Sequence, residues 1–153
     1  MSRWHEKNGN IRMSTDPLDV QDLLSSAEGT LWAGFPEGGT IGHVHLQVGN
    51  TEAADRFYRD VLGFEVTVDY PGASFYGSGG YHHQLAGNSW NSRRAGVRPE
   101  GMAGLDQVEI ILRDAAELAA IMGRAESAGL EFAQAEDTVA LSDPWGTVIT
   151  LRT

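Results

Sequence analysis

The first strongly patterned stretch of the chain covers residues 41–70. Residues 41–48 alternate polar and apolar side chains, which predicts a strand whose two faces meet different surroundings. The polar positions of this strand are His43, His45 and Gln47. Behind Asn50, a candidate N-cap, apolar residues follow at helical spacing up to Gly63, and residues 64–70 alternate again. The stretch predicts a strand, a short helix and a second strand.

Two more strands are predicted directly after this stretch. Pro71-Gly72 predicts a turn, residues 73–77 a third strand, and residues 81–86 a fourth strand behind a glycine-rich hairpin turn. Neighbouring side chains of a strand point to opposite faces. His82 and His83 are therefore predicted on opposite faces, with only one of them facing any cleft.

The same pattern returns in the last fifty residues. A strand is predicted over residues 105–112, and Asp114, with Glu117 three residues later, predicts the start of a helix that ends at Gly129. The strands predicted after this helix cover residues 131–135, 138–141 and 147–152, with an Asp-Pro-Trp-Gly turn before the last. Aligning Val44 with Val108 and Gly63 with Gly129 indicates an internal duplication of a βαβββ unit.

These patterns divide the chain into four segments and predict an α+β fold. An N-terminal arm covers residues 1–40, and a polar connector over residues 91–103 separates a first module, 41–90, from a second, 104–153. In the arm, Asn8-Gly9 predicts a small hairpin within residues 3–14. Asp16-Pro17 predicts the start of a short helix that extends to about Ala27.

The composition argues against nucleic-acid and membrane partners and excludes cysteine-based chemistry. The 153 residues carry a net charge of -10, whereas nucleic-acid binding needs a surplus of Lys and Arg. The absence of cysteine excludes disulfides, a thiolate nucleophile and a zinc–thiolate site. No apolar run approaches the roughly 20 residues of a membrane helix, and the start lacks the apolar core of a signal peptide. We therefore expect a cytoplasmic protein that binds neither nucleic acid nor membranes.

The segment HVHLQVGNTEAADRFYRDVLGFEV, together with DPWGTVITL, resembles the vicinal oxygen chelate superfamily, which includes glyoxalase I, bleomycin-binding proteins and extradiol dioxygenases. This resemblance covers nearly all of residues 41–153. It implies that the paired modules form an open, curved, eight-stranded sheet around a cleft that commonly holds a divalent metal.

A second motif, GGYHHQLAGNSW at residues 79–90, is more specific. It is similar to the second half of two-domain bacterial catechol 2,3-dioxygenases, and the arm, with its DVQDLL run, resembles the connector between their halves. This likeness implies iron(II)-dependent cleavage of a small catecholic aromatic with O2. It also implies a partner, which is either a separate N-terminal half or a second copy of the chain.

The resemblance assigns roles to individual residues. It implies that His43 is a metal ligand and that His83 is the catalytic acid/base, although a strand histidine is often only packed or hydrogen-bonded. His45 is expected in the cleft wall. The aromatic-substrate contacts that we expect are Tyr81, His82 and Trp90.

The sequence departs from the family pattern at two metal positions. The resemblance places a second histidine where this chain has Gln107, and a carboxylate where it has Thr150. Glu109 is a shifted candidate for the carboxylate. A metal-free binding protein of the bleomycin-resistance kind, with an acidic aromatic groove for a cationic ligand, is therefore the first alternative. A glyoxalase-like lyase is the second.

Overall fold

The computed structural model describes Ile11 and residues 17–27 and 29–153, and the chain divides after Gly42 into two units. In the first unit, helix α1 spans Val20–Ser26 and buries none of its residues. The Asp19 carboxylate caps this helix by accepting a hydrogen bond from the amide of Asp22 at 3.0 Å. The predicted start of the helix at Pro17 is therefore wrong, because the helix begins three residues later, and the predicted cap, Asp16, lies outside the described residues. The hairpin predicted over residues 3–14 lies outside the described residues, apart from Ile11.

The second unit contains eight strands in two four-stranded sheets, with the order β1-β4-β3-β2 in one and β5-β8-β7-β6 in the other. The strands of the first sheet are β1 Val44–Gln47, β2 Glu65–Tyr70, β3 Ala73–Gly77 and β4 Leu85–Asn88. Those of the second are β5 Gln107–Ile111, β6 Phe132–Ala135, β7 Thr138–Ser142 and β8 Val148–Arg152. The α+β class and the paired βαβββ modules are confirmed. The eight strands are hydrogen-bonded as two open sheets of four rather than as one.

Both modules use the same strand pairing, as a duplication requires. β1 pairs in parallel with β4, and β5 pairs in parallel with β8, whereas the other neighbours are antiparallel. Val44 lies opposite Leu85 in the first sheet, and Val108 lies opposite Ile149 in the second. Residues that the duplication equates thus occupy equivalent positions in the two sheets.

The helices of the two modules begin where the sequence predicts. Helix α2, Thr51–Asp55, is capped by Asn50, and helix α3, Ala115–Ser127, is capped by Asp114, which accepts from the amide of Glu117 at 2.9 Å. α2 continues as a wider π-helical turn over Arg56–Val61, which buries Phe57, Tyr58 and Val61. Gly63, with a φ of +89°, ends this helix as predicted. Within the described residues, no helix is long and apolar enough to cross a membrane.

The two modules share one core between their helices. The buried Tyr58 hydroxyl of the first module donates to Asp143 of the second at 2.9 Å. The Arg124 guanidinium of α3 donates to the carbonyl of Val61 at 2.7 Å and so occupies the end of the first helix. Because each sheet turns its apolar face toward this core, the residues of β1 and β5 on the other face stay exposed.

Candidate functional site

The face of the first sheet that points away from the core collects most of the predicted site residues. His45 lies opposite Ala86 in the β1–β4 pair, and Ala86 lies opposite Phe75 in the β4–β3 pair, so the three residues form one row across the sheet. The rings of His45 and Phe75 are 5.9 Å apart. We call the surface formed by His43, His45, Phe75, His82, His83 and Trp90 the first-module face.

Three histidines meet on this face. The ring of His43, the residue before β1, lies 4.6 Å from that of His83 and 6.3 Å from that of His82. One ligand atom from each of His43, His82 and His83 can be chosen so that all three lie within 4.8 Å of one another. The structure therefore brings together three imidazoles that could hold a metal ion.

The position of His82 and His83 differs from the prediction. Their rings are only 4.3 Å apart, and both lie near His43 rather than on opposite faces. The prediction was wrong because β4 begins at Leu85, so both histidines precede the strand and the alternation rule does not apply to them.

The loop over residues 78–84 is held by one contact from β2 and by hydrogen bonds between its own two ends. The Thr67 hydroxyl lies 2.6 Å from the carbonyl oxygen of His82, and the Gln84 side chain accepts from the Ser78 amide at 2.9 Å. Gly77 permits the chain to fold back here, since a Cβ at this position would lie 2.5 Å from the carbonyl oxygen of Tyr81. Thr67 was not predictable as a supporting residue, because no local pattern distinguishes it from other strand threonines.

His83 is the most buried of the three histidines, with 5% of its surface exposed. Its Nδ1 atom is buried and has no hydrogen-bond partner among the residues that the structure describes. Burial, and after it the charged forms of the neighbouring His82, His43 and His45 in that order, together lower the pKa of His83 to about 4. An acid/base group works best with a pKa near the operating pH. In the metal-free protein His83 is instead a neutral imidazole at pH 7.

Aromatic rings continue the face beyond the histidines. The ring of Trp90 lies 6.0 Å from that of His45 and 6.5 Å from that of Tyr70. Trp90 is 46% exposed, and its indole N–H donates to the carbonyl of Pro71 at 3.0 Å, which fixes the ring. On the other side, the ring of Tyr81 lies 4.4 Å from that of His82. The first-module face therefore combines imidazoles with exposed aromatic surface.

Burial also affects the remaining histidines of this face. It lowers the pKa of His45 and of His82, and the positive form of His43 lowers both further. Neutral imidazoles are the form that binds metals. The lowered pKa values therefore keep His45 and His82 in the neutral form that can bind a metal ion.

Gln107, Glu109 and Thr150 lie in the second module. Thr150 sits between Glu109 of β5 and Ala140 of β7 in one row across the sheet. The Glu109 carboxylate forms an ion pair with Arg152 at 3.0 Å, so a positive charge already neutralises it. Glu109 belongs to no metal-capable cluster of acidic or histidine side chains in the described part of the chain.

These residues do not provide the iron site that the resemblance implies. Such a site needs two histidines and one carboxylate on one side of the metal. An amide at Gln107 and a hydroxyl at Thr150 are neutral and weaker donors, and the Glu109 carboxylate is already paired. The three-histidine cluster is a different donor set, and it lies entirely within the first module.

Comparisons with known proteins agree with this architecture. Residues 40–149 match a family model described as the Glyoxalase/Bleomycin resistance protein/Dioxygenase superfamily. A catechol-2,3-dioxygenase from Bacillus subtilis (strain 168) is 35% identical over 146 residues, which cover 94% of this chain and 51% of that protein. The chain therefore spans about half the length of this relative.

Solved structures share the fold at lower identity. A lactoylglutathione lyase from Agrobacterium tumefaciens is 22% identical with a TM-score of 0.55, and the match covers 74% of this chain and 92% of that chain. A glyoxylase/bleomycin resistance protein/dioxygenase domain from Frankia sp. EAN1pec is 18% identical with a TM-score of 0.59, covering 74% and 96%. At these identities the likeness shows the fold alone.

Proposed function

The chain belongs to the glyoxalase/bleomycin resistance protein/dioxygenase superfamily, and from this premise we propose that it acts in extradiol cleavage of a small catecholic aromatic by O2. The observation that supports this proposal is the first-module face, where clustered histidines adjoin the exposed ring of Trp90. The sequence likeness to a catechol-2,3-dioxygenase supports the same reaction class. Because the chain spans half of that relative, we propose that the active assembly includes a second half or a second copy.

The role proposed for the face is to bind and orient the aromatic ring. Phe75 and Trp90 flank the His45 ring, and aromatic pairs favour offset or edge-to-face contacts with centroids about 4.5–7 Å apart. A catechol ring placed against these side chains can direct its hydroxyl groups toward His43 and the neighbouring histidines. Tyr81 and His82 would then border the opposite end of the substrate.

The cofactor proposed for the reaction is iron(II), with His43 as one ligand. His43 is exposed at the beginning of β1 and lies within ring contact of two more imidazoles. The other two ligands of the family pattern are missing, because Gln107 stands in place of the second histidine and Thr150 in place of the carboxylate. The chain's own residues therefore support the proposed class of substrate and the proposed class of metal. They do not select one coordination geometry for iron.

Ring cleavage is the direct test of this function. Protein reconstituted anaerobically with iron(II) and freed of excess metal is mixed with catechol in aerated buffer, and the yellow ring-opened product is followed by absorbance. We expect product from the wild type and none from His43→Ala. The control is Arg113→Ala, which removes an exposed surface side chain of the second module and should leave the rate unchanged.

A second half could be needed for activity, so the assay includes it. The chain is also co-expressed with the remaining half of the Bacillus subtilis relative and assayed in the same way. Absence of product in both preparations, with folded protein and bound iron, would contradict the proposed function.

A metal-free binding protein is the second candidate function. The observation that favours it is the second module, where the Glu109–Arg152 ion pair and the neutral Gln107 and Thr150 leave no metal site of the family type. The net charge of -10 suits a cationic ligand. Titration with bleomycin in the presence of EDTA, followed by tryptophan fluorescence, distinguishes the two. Saturable quenching that Trp90→Ala abolishes would favour this candidate over the dioxygenase.

A further inference from the structure

The histidine cluster of the first module has the composition and position of a metal site in its own right. We propose that His43, His82 and His83 together bind one divalent ion of the borderline class, such as zinc, cobalt or iron(II). This inference deepens the proposed function and rests on it in one respect, namely that the chain holds a metal. It replaces the two-histidine, one-carboxylate set with three imidazoles from one module.

The positions of the three imidazoles suit a shared metal ion. A metal–imidazole bond is about 2.1 Å long, so two nitrogens on a tetrahedral ion are separated by about 3.4 Å. The candidate ligand atoms already lie within 4.8 Å of one another without an ion. The remaining adjustment of about an ångström falls to His43, whose side chain is the exposed member of the cluster.

The buried ring nitrogen of His83 also favours a bound ion. His83 leaves 5% of its surface exposed, and its Nδ1 has no hydrogen-bond partner among the described residues. A buried polar nitrogen without a partner is costly, because folding has removed the water that it would otherwise bind. A ligand that accepts the lone pair of this nitrogen would offset the cost of its burial. A metal ion is such a ligand, and the two neighbouring imidazoles could bind the same ion.

The backbone that carries His82 and His83 is held in place by other side chains. The carbonyl of His82 is held by the Thr67 hydroxyl, and the ends of the loop are joined by the side chain of Gln84. Thr67 and Gln84 thereby fix the backbone of the two adjacent histidines without using their rings. A site whose supporting residues are already in place loses little conformational freedom when the ion binds.

The donor set also determines which metals should bind. The cluster contains imidazoles and no carboxylate. Imidazole suits zinc, iron, cobalt, nickel and copper, whereas magnesium and calcium prefer oxygen ligands. The proposal therefore predicts binding of cobalt(II) and zinc(II) and no binding of magnesium or calcium at millimolar concentration.

The test is a cobalt(II) titration of the full-length chain after removal of metals with EDTA, followed by visible absorption and equilibrium dialysis. We expect one cobalt per chain, displaced by zinc and unaffected by magnesium. His43→Ala, His82→Ala and His83→Ala should each weaken binding at least tenfold. His45→Ala removes an imidazole of the same face that lies outside the cluster, and this variant should bind cobalt as tightly as the wild type.

Several outcomes would overturn the inference. Among them are failure of the folded wild type to bind cobalt, and a loss in His45→Ala as large as that in His43→Ala. Thermal unfolding by circular dichroism, measured without metal, identifies any alanine variant that fails to fold, and His83→Gln then replaces His83→Ala. A folded His83→Gln that keeps wild-type affinity would also contradict the proposal.

The failure of this inference is distinguishable from failure of the proposed function. Cobalt binding that depends on all three histidines, without any ring cleavage by the iron-loaded protein, would support the site and remove the function. Ring cleavage by iron-loaded His82→Ala and His83→Ala, with iron content equal to the wild type, would keep the function and overturn the site.

Discussion

Among the histidines of the first-module face, His83 has the pKa that departs furthest from its value in water. Burial and the neighbouring histidines together lower this pKa from 6.5 to about 4, so between these values the unfolded chain binds a proton that the folded chain does not. Stability therefore falls as the pH decreases through this window and is fully present above pH 6.5. Stability decreases toward low pH because the His83 imidazole is neutral in the folded state and becomes protonated in the unfolded state.

His83→Gln should reduce the acid sensitivity of the metal-free protein. For the wild type, His83 alone makes unfolding easier by about 2 kcal/mol at pH 5 than at pH 7, and the glutamine variant should lose this difference. Urea unfolding at the two pH values, with EDTA present, measures it. Phe75→Leu is the control, because it perturbs the same face without changing a titrating group. An equal pH dependence in wild type and His83→Gln would show that this imidazole is not held neutral.

Among the secondary-structure elements, the loop between β3 and β4 determines whether the histidines meet. An added Cβ at Gly77 would lie 2.5 Å from the carbonyl oxygen of Tyr81 and 2.6 Å from the Thr67 side chain. The loop must therefore shift if any other residue occupies position 77. Such a shift would move His82 and His83 away from His43.

Gly77→Ala should destabilise the protein by about 1–3 kcal/mol and weaken cobalt binding. The matched control is Gly123→Ala in the middle of α3, where an added Cβ meets nothing within 4 Å. That variant should be more stable by about 0.5–1 kcal/mol, because alanine favours a helix over glycine. Denaturant unfolding measures both changes. A Gly77→Ala protein as stable as the wild type would mean that the loop does not depend on this close approach.

Elements set by local chemistry were predictable, and those set by distant contacts were not. The Asp114 cap and the end of the first helix at Gly63 follow from residues a few positions apart, and both are confirmed. The start of β4 was predicted four residues too early, because the side chain of Gln84 and the distant Thr67 hold the loop. His43 could be selected from the sequence, but its meeting with both His82 and His83 could not.

At the scale of the whole molecule, the residues of the buried hydrophobic cluster come from the part of the sequence between Val44 and Leu151. This cluster joins the helices of both modules, and the Tyr58–Asp143 hydrogen bond lies within it. The unit that begins at His43 therefore contains its own core. None of the described residues before His43 belongs to that cluster.

A protein consisting of residues 43–153 should fold by itself. We expect one cooperative thermal transition within about 5 °C of the full-length midpoint, which for a domain of this size corresponds to roughly 1 kcal/mol. Circular dichroism at matched concentration measures both proteins. A broad, non-cooperative transition for the shorter protein would indicate that the arm contributes to the core.

The central claim is that the first module alone supplies the metal ligands, and X-ray absorption of the iron(II)-loaded protein under argon tests it most directly. The account predicts a first shell with the scattering of three imidazoles, which falls to two in His82→Ala and in His83→Ala. A shell of two imidazoles and one carboxylate, unchanged in these variants, would contradict it.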